Sequence, residues 1–502
     1  MNYLFYFYSC FNATMLGGLL DEAIELAKDP SNKVLFLHCG GIQNMCLFNR
    51  EGSKPLCSLC SHTTSKVIRG YKNIESKSLR EFIPNDIIKT PEFSYDNVEE
   101  LRAVSYRGVA IGLSVHSNYI TCTRNLNVAI NENSRSYFDC HLNQCVRMVD
   151  AVYNVFDQFK PDIVYTYNGR FEEVRPLYDI CEGLGIHYVL SEVFPTGTPR
   201  WYKVQYDNHF TLDIKYFVEL REYCWNHYKL SEQEKIALGK SFFERRRNAE
   251  FAGDKIYVKN QIAGKIPPIN PKKINIAIMN SSEDEFASIG GEWEKLKIFP
   301  NQYEGIIYLL ENAPKNIHFY LRIHPNLKNI TYGYHRKLWS LESKYSNITV
   351  IRGDSDISTY SLIDAVDKVI SFGSTTGIEA AYWGKPSILM GPSFYYYDEI
   401  CYVPKNKEEI LGLLRSELKP KYNMNLLKYG AYILDSNPVV IPDKNIDCIS
   451  NPHSFLGVKY HTSPFINFAG GERLTGFIIA TCRKVLGSKI FSKYTVPLEE
   501  EL

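Results

Sequence analysis

The 502-residue chain lacks most of the features that would assign it at once. It has almost no excess of charge of either sign: Lys and Arg number 57, Asp and Glu 56, and the formal net charge is +1. That balance removes the electrostatic case for nucleic acid. There is no uninterrupted apolar run of about 18 residues, so no membrane-spanning helix is expected. Thirteen cysteines in a chain of this length are too few for a disulfide scaffold. The opening MNYLFYFYSCF is apolar but has no basic n-region and no clear cleavage site, so it suits a first buried strand better than a signal peptide. Together these absences set the expectation of a cytoplasmic protein. Internal repeats and low-complexity segments are missing as well. Leu238-Gly239-Lys240-Ser241 looks like the tail of a phosphate loop, but the glycine that such a loop needs earlier falls at Glu234.

What the chain does have is an ordinary folded composition, 45% apolar and 23% charged, with length enough for two or three domains. Short apolar runs alternate with helical spacing. Strands are expected at Tyr3–Tyr8, Lys33–His38 and Ile163–Tyr167, with a helix over Tyr137–Phe159. Gly17 and Gly18 are read as part of a loop before the first helix. Residues 209–250 read as two helices broken near Leu230-Ser231, with Arg245-Arg246-Arg247 on a solvated face. Gly264, Pro267, Pro268 and Pro271 mark 263–272 as a linker. The same rhythm then restarts with strands at Ile274–Met279, Ile317–Ile323 and Ile348–Ile351. The expected fold class is therefore α/β with two Rossmann-like doubly wound domains. They are an N-terminal domain over 1–262, a domain over 273–420, and an extension over 421–502 in which Arg473–Leu486 has amphipathic helical spacing.

Val369–Gly391 reads as strand, small-residue turn, helix and strand, with Gly373-Ser374-Thr375-Thr376-Gly377 as the turn. A hydroxyl-rich loop leaving a strand and opening a helix suits a phosphate. The plainer alternative is helix capping by Ser374 or Thr375. Upstream, Arg322-Ile323-His324-Pro325 ends another strand. Alternation puts Arg322 and His324 on one side, where arginine can grip a phosphate and histidine can protonate a leaving group. Ser374, Thr375 and Thr376 are expected at an adjacent strand end of the same sheet. Glu379, one turn into the helix, is a candidate for accepting ribose hydroxyls. In the N-terminal half, Asn168, Arg170 and Glu192 fall at the ends of neighbouring strands. Arg170 can hold an anion or form a surface ion pair with Glu172 or Glu173, and Glu192 is a candidate general base. Cys57-Ser58-Leu59-Cys60 has knuckle spacing, with Cys39, Cys46, His38 and His62 nearby. A structural metal and ordinary free thiols both remain open.

Arg-x-His-Pro-Asn at 322–326, Ser-Phe-Gly-Ser-Thr-Thr-Gly-Ile-Glu-Ala-Ala at 371–381 and Gly-Lys-Pro at 384–386 resemble bacterial capsule and surface-polysaccharide biosynthesis glycosyltransferases. The segments at 167–171 and 281–286 resemble the same group. The resemblance implies the GT-B fold, two Rossmann-like domains facing each other. It also implies a nucleotide-sugar donor and a glycan or lipid-linked glycan acceptor, with contact to the inner membrane face or other assembly enzymes allowed for. By this likeness His324, Ser374, Thr375, Thr376 and Gly377 form the donor-phosphate turn with Arg322 assisting, while Glu192 acts as base beside acceptor-side Asn168 and Arg170. No cofactor is implied, and no metal, since no Asp-x-Asp motif stands in a suitable loop. Alternative readings are a non-hydrolysing UDP-N-acetylglucosamine 2-epimerase, a polyol-phosphate transferase, and a non-catalytic assembly scaffold. The epimerase pattern Asp-Ser-Gly-Gly-x-x-Glu-Glu is matched only in part by 373–380, which lacks the leading acid and the second glutamate.

Overall fold

The computed structural model describes residues 1–50, 52–83, 91–195, 201–253, 255–328 and 333–435. The expected helix at Arg473–Leu486, and most of the 421–502 extension, lie outside the described residues. The chain divides between Thr211 and Leu212 into two compact units.

The N-terminal unit holds a six-stranded sheet of β1 (Asn2–Phe7), β2 (Lys33–His38), β3 (Glu75–Ser78), β4 (Ile163–Tyr167), β5 (His187–Pro195) and β6 (Trp201–Asp207), in the order β3-β2-β1-β4-β5-β6. All neighbours are parallel except β5 and β6. The central strand β1 is apolar at nearly every position, as a strand covered on both faces must be. Phe5 stacks on Phe36 of β2 and Tyr165 of β4, which fixes three strands through one aromatic row. Around the sheet are α1 (Ala13–Leu26), α2 (Lys54–Ile68), α3 (Ile111–Thr123), α4 (Glu132–Phe159) and α5 (Arg175–Leu184). Gly17 and Gly18, expected in a loop, lie inside α1. Asn12 caps that helix, accepting from Met15 N at 3.1 Å, so the helix begins before the glycines rather than after them.

The C-terminal unit begins with α6 (Ile214–His227) and α7 (Glu232–Arg247). The break between them falls where Ser231 and Glu234 form a capping box. A five-stranded, wholly parallel sheet follows: β7 (Ile274–Met279), β8 (Ile317–Arg322), β9 (Ile348–Ile351), β10 (Lys368–Ser371) and β11 (Ser387–Leu389), in the order β11-β10-β7-β8-β9. Its helices include α8 (Gln302–Asn312), α9 (Thr359–Ala365), α10 (Thr376–Tyr382), α11 (Lys407–Arg415) and α12 (Met424–Leu434).

The division corrects the expected boundary at 262/263. Gly239 of α7 and Gly430 of α12 let the two helix backbones meet closely: a Cβ on Gly430 would sit 2.3 Å from the Gly239 carbonyl oxygen. Phe242, Phe243, Ile378, Leu389 and Tyr429 share one core cluster. The helices that precede the Pro/Gly stretch thus belong to the unit that follows it. No described helix is long and apolar enough to cross a membrane.

Candidate functional site

Each sheet changes direction once. In the C-terminal unit the chain runs β7, β8, β9 to one edge and then returns to β10 and β11, so the switch point lies between β7 and β10. Ligands of open α/β sheets bind outside the carboxyl ends of the strands at such a point. The loops there are 280–282 after β7, His324 after β8, and 372–376 after β10.

These loops are tied along the sheet edge. Ser281 Oγ donates to the Phe372 carbonyl at 2.9 Å, and Gln302 Nε2 donates to Ser281 Oγ at 2.7 Å. Asn280 Oδ1 accepts from the His324 backbone N–H at 2.7 Å. The His324 ring is half-buried. Its Nδ1 accepts from Asn326 N at 3.2 Å and lies 3.5 Å from Ser282 Oγ. With Nδ1 occupied as an acceptor, a neutral ring carries its proton on Nε2. Tyr257 meets the ring edge-on at 4.9 Å. The expectation that the 374–376 turn adjoins the His324 strand is corrected: β7 lies between β8 and β10, and Ser281 and Ser282 bridge the gap.

The turn after β10 is built rigidly. Gly373 has φ +85°, and Ser371 Oγ and Tyr395 OH both donate to the Ser374 carbonyl. Thr376 Oγ1 donates to Ser374 Oγ at 2.8 Å. A side chain at Gly377 would force a shift, since a Cβ there would stand 2.6 Å from Tyr395 Oη. The helix it opens, α10, has seven residues, so its dipole is short. A formal cation stands beside the turn instead: Arg246 Nη2 donates to Thr375 Oγ1 at 3.0 Å and its Nε to Glu379 Oε1 at 2.9 Å.

Arg246 was expected on a solvated face, and that reading is corrected. It comes from the last turn of α7, which the sequence places far from 375, and no local pattern announces it. Glu379, expected to accept ribose hydroxyls, is fully buried and takes Arg246 and the Tyr360 hydroxyl as donors. Arg322, expected beside His324 on a phosphate, is also committed elsewhere. It is 3% exposed, and its Nη1 and Nη2 donate to the carbonyls of Arg352 and Ser355 at 3.0 and 3.2 Å. Burial lowers its pKa to about 10 against the opposing pull of Asp354 and Asp356. That same loop contains Asp354-Ser355-Asp356, an Asp-x-Asp sequence at a strand end, which qualifies the expectation that none stands in a suitable loop. Asp356 pairs with Lys265 at 2.6 Å.

In the N-terminal unit the switch point lies between β1 and β4. Asn168, at φ +52°, and Gly169, at φ +82°, turn the chain sharply out of β4. Register places Tyr167 opposite Ser191, and Asn168 Nδ2 donates to Glu192 Oε1. Asn168 Oδ1 accepts from Arg170 N at 2.9 Å. The structure thus brings Asn168, Arg170 and Glu192 together, as expected. Burial raises the Glu192 carboxyl to about 7, although the Asn168 hydrogen bond and the Arg170 charge both oppose it. Arg170 is buried and its Nε donates to Ser117 Oγ at 2.6 Å, so the surface ion-pair alternative does not hold. Glu172 and Glu173 are buried too. Glu172 pairs with His141 Nδ1 at 2.7 Å. Glu173 accepts from Asn118 Nδ2 and from Leu47 N, and burial followed by the Glu172 charge raises it to about 8. Asn118 and His141 of this network had no sequence signal beyond their position on apolar helices.

Among the described residues, no group of three or more His, Cys, Asp or Glu side chains is placed to hold a metal ion. Cys57 and Cys60 lie one helical turn apart on α2, and all the described cysteines are free.

The fold and the two strand-end clusters define an α/β protein of two Rossmann-like units. No protein-family model and no curated protein matches the sequence. Among solved structures, the chain is similar to a beta Kdo 2,4 transferase, KpsC of Thermosulfurimonas dismutans. Identity is 14% over 54% of this chain and 79% of that one, at a TM-score of 0.31. It is also similar to the UDP-GlcNAc 2-epimerase of Neisseria meningitidis, at 12% identity over 96% and 100% of the two chains and a TM-score of 0.24. The calicheamicin glycosyltransferase CalG4 is 9% identical over 96% and 98%, with a TM-score of 0.25. Likeness at this level says nothing about activity, and the fold rests on the two sheets themselves.

Proposed function

We propose that the protein is a GT-B-type glycosyltransferase of surface or capsular polysaccharide biosynthesis, moving a sugar from a nucleotide donor to a glycan acceptor. The observation that carries the reading is the edge of the C-terminal sheet. There Ser281 bonds the Phe372 carbonyl at the start of the 372–376 loop, Ser282 lies beside His324, and Arg246 stands against Thr375. Hydroxyls, a half-buried imidazole and an arginine held at the turn together suit a phosphate that gains charge as it leaves. Transfer also needs a base to take the acceptor proton. Glu192 has a pKa raised to about 7 and is held by Asn168, which suits that task near neutral pH. In this reading Arg322 shapes the site by holding the 352–355 loop, and Glu379 by anchoring Arg246.

The test is a thermal-shift and calorimetric screen against CMP, CDP, UDP, GDP and their sugar conjugates, on wild type and His324→Ala. One nucleotide should raise the melting temperature, because a ligand of the native state alone stabilises it by mass action. The shift should vanish in His324→Ala, whose unliganded melting temperature should stay near wild type. An unchanged shift in the variant would remove His324 from the site, and no shift with any nucleotide would overturn the reading. A response to UDP-N-acetylglucosamine alone would direct the next assay to epimerisation.

A further inference from the structure

α3 is buried without a break from Ile111 to Ile120. A helix covered all round is expected to be apolar, and any polar side chain it carries must find its partner inside the protein. Two adjacent residues of α3, Ser117 and Asn118, find theirs in the stretch that leaves β4. Ser117 Oγ accepts from Arg170 Nε at 2.6 Å. Asn118 Oδ1 accepts from Glu172 N at 3.2 Å, and its Nδ2 donates to Glu173 Oε1 and Oε2 at 2.9 and 3.0 Å. Ser117 is 0% and Asn118 2% exposed, so bulk water does not compete for these bonds.

From Arg170 the bonds run on to Glu192. Arg170 N donates to Asn168 Oδ1 at 2.9 Å. With its amide oxygen so occupied, Asn168 presents Nδ2 to Glu192 Oε1. Thr211 Oγ1 donates to the Asn168 carbonyl at 2.7 Å. The far side of the 170–173 stretch is tied as well. Gln43 Nε2 donates to the Glu172 carbonyl at 3.2 Å, Leu47 N donates to Glu173 Oε1 at 2.8 Å, and Glu172 Oε1 pairs with His141 Nδ1.

We propose that Ser117 and Asn118 are positioning residues for Glu192: from inside the protein they grip the 170–173 stretch and so fix the Asn168 amide and the Arg170 charge that act on the carboxylate. The role as stated rests on the reading of Glu192 as the base. Both residues act through Asn168 and Arg170 rather than on the reacting atoms. A buried stretch tied on two sides has few other arrangements, so loss of one tie is felt along the hydrogen-bonded chain. Burial raises the Glu192 pKa, and the Asn168 bond and the Arg170 charge oppose it. Loosening the grip therefore moves Glu192 upward. Tyr167 also neighbours Glu192, but burial raises its pKa well above the ordinary value, so it stays uncharged across that titration.

The experiment follows the Glu192 carboxyl itself. Full-length protein carrying 13C at glutamate Cδ is titrated by NMR, and the Glu192 signal is assigned by its loss in Glu192→Gln. Ser117→Ala should raise the midpoint by about one unit, the low end of what a nearby opposite charge supplies. Ser117→Thr, which keeps the hydroxyl, should restore the wild-type midpoint. Asn118→Ala should move it in the same direction as Ser117→Ala; where that variant does not fold, the two Ser117 variants decide. A role in packing alone predicts a lower melting temperature with an unmoved midpoint. That result in Ser117→Ala would overturn the proposal. The titration needs no substrate, so the two readings fail separately. A moved midpoint supports the grip on Glu192 even where Glu192→Gln retains turnover, and an unmoved one overturns it even where Glu192→Gln has none.

Discussion

Arg246 Nε donates to Glu379 Oε1 across 2.9 Å, joining the last turn of α7 to a carboxylate whose side chain is 1% exposed. The same guanidinium reaches Thr375 through Nη2. One side chain therefore both neutralises a buried charge and fixes the turn after β10. Arg246→Ala leaves Glu379 buried with only the Tyr360 hydroxyl beside it. Breaking such a pair from one side costs about 3–5 kcal/mol. Denaturant unfolding should show a loss of that order. Arg246→Lys should recover only part of it, because an ammonium cannot reproduce the two-pronged contact.

Glu192 sets the acid limb of the proposed reaction. A base works in its charged form, so kcat/KM should fall as pH drops through about 7, the value to which burial raises Glu192. Asn168 donates to that charged form, and Asn168→Ala should move the limb to higher pH. Glu192→Gln should abolish turnover at every pH while leaving donor binding intact. pH–rate profiles of the three proteins, set beside nucleotide titrations, check the set.

Glu173 makes a prediction about stability alone. Its folded pKa is raised from 4.5 to about 8, so the folded state holds a proton that the unfolded chain has released across that interval. Its contribution is fully present below about pH 4.5 and is lost as pH rises through about 8. Glu192 acts in the same direction up to about 7. Unfolding free energy measured in steps from pH 5 to pH 9 should carry this downward component, and Glu173→Gln should flatten it.

Gly377 lies under the candidate phosphate turn. Added Cβ density there would meet Tyr395 Oη at 2.6 Å and Ser371 Cβ at 2.8 Å, both on buried residues. Overpacking of this kind costs about 1–3 kcal/mol. It would also displace Tyr395 from the Ser374 carbonyl and so disturb the 374–376 turn. Gly377→Ala should lower the melting temperature and, in calorimetric titration, weaken binding of whichever nucleotide shifts the wild type.

Much of this architecture is legible in the amino-acid order. The bounds expected for β2, β4, β7 and β9 coincide with those observed, because each is a short apolar run closed by polar, Gly or Pro residues. The approach of Asn168, Arg170 and Glu192 is legible too, since parallel neighbours in register end together. Helix starts are less so: α1 begins four residues before Gly17, because its asparagine cap outweighs the glycines.

The sequence by itself determined that the chain makes two α/β units and where β2, β4, β7 and β9 begin and end. Only the tertiary structure decided what the polar residues at the strand ends touch. Strand order put β7 between β8 and β10, so serines of the β7 loop stand between His324 and the Phe372 carbonyl that leads into the hydroxyl turn. It turned Arg322 onto the carbonyls after β9, and it brought Arg246 across 133 positions of sequence to Glu379. The physical reason is that periodicity fixes the face a side chain occupies along its own element. Burial and pairing depend on which distant element covers that face, and that is settled only when the sheet orders its strands and the helices close over it.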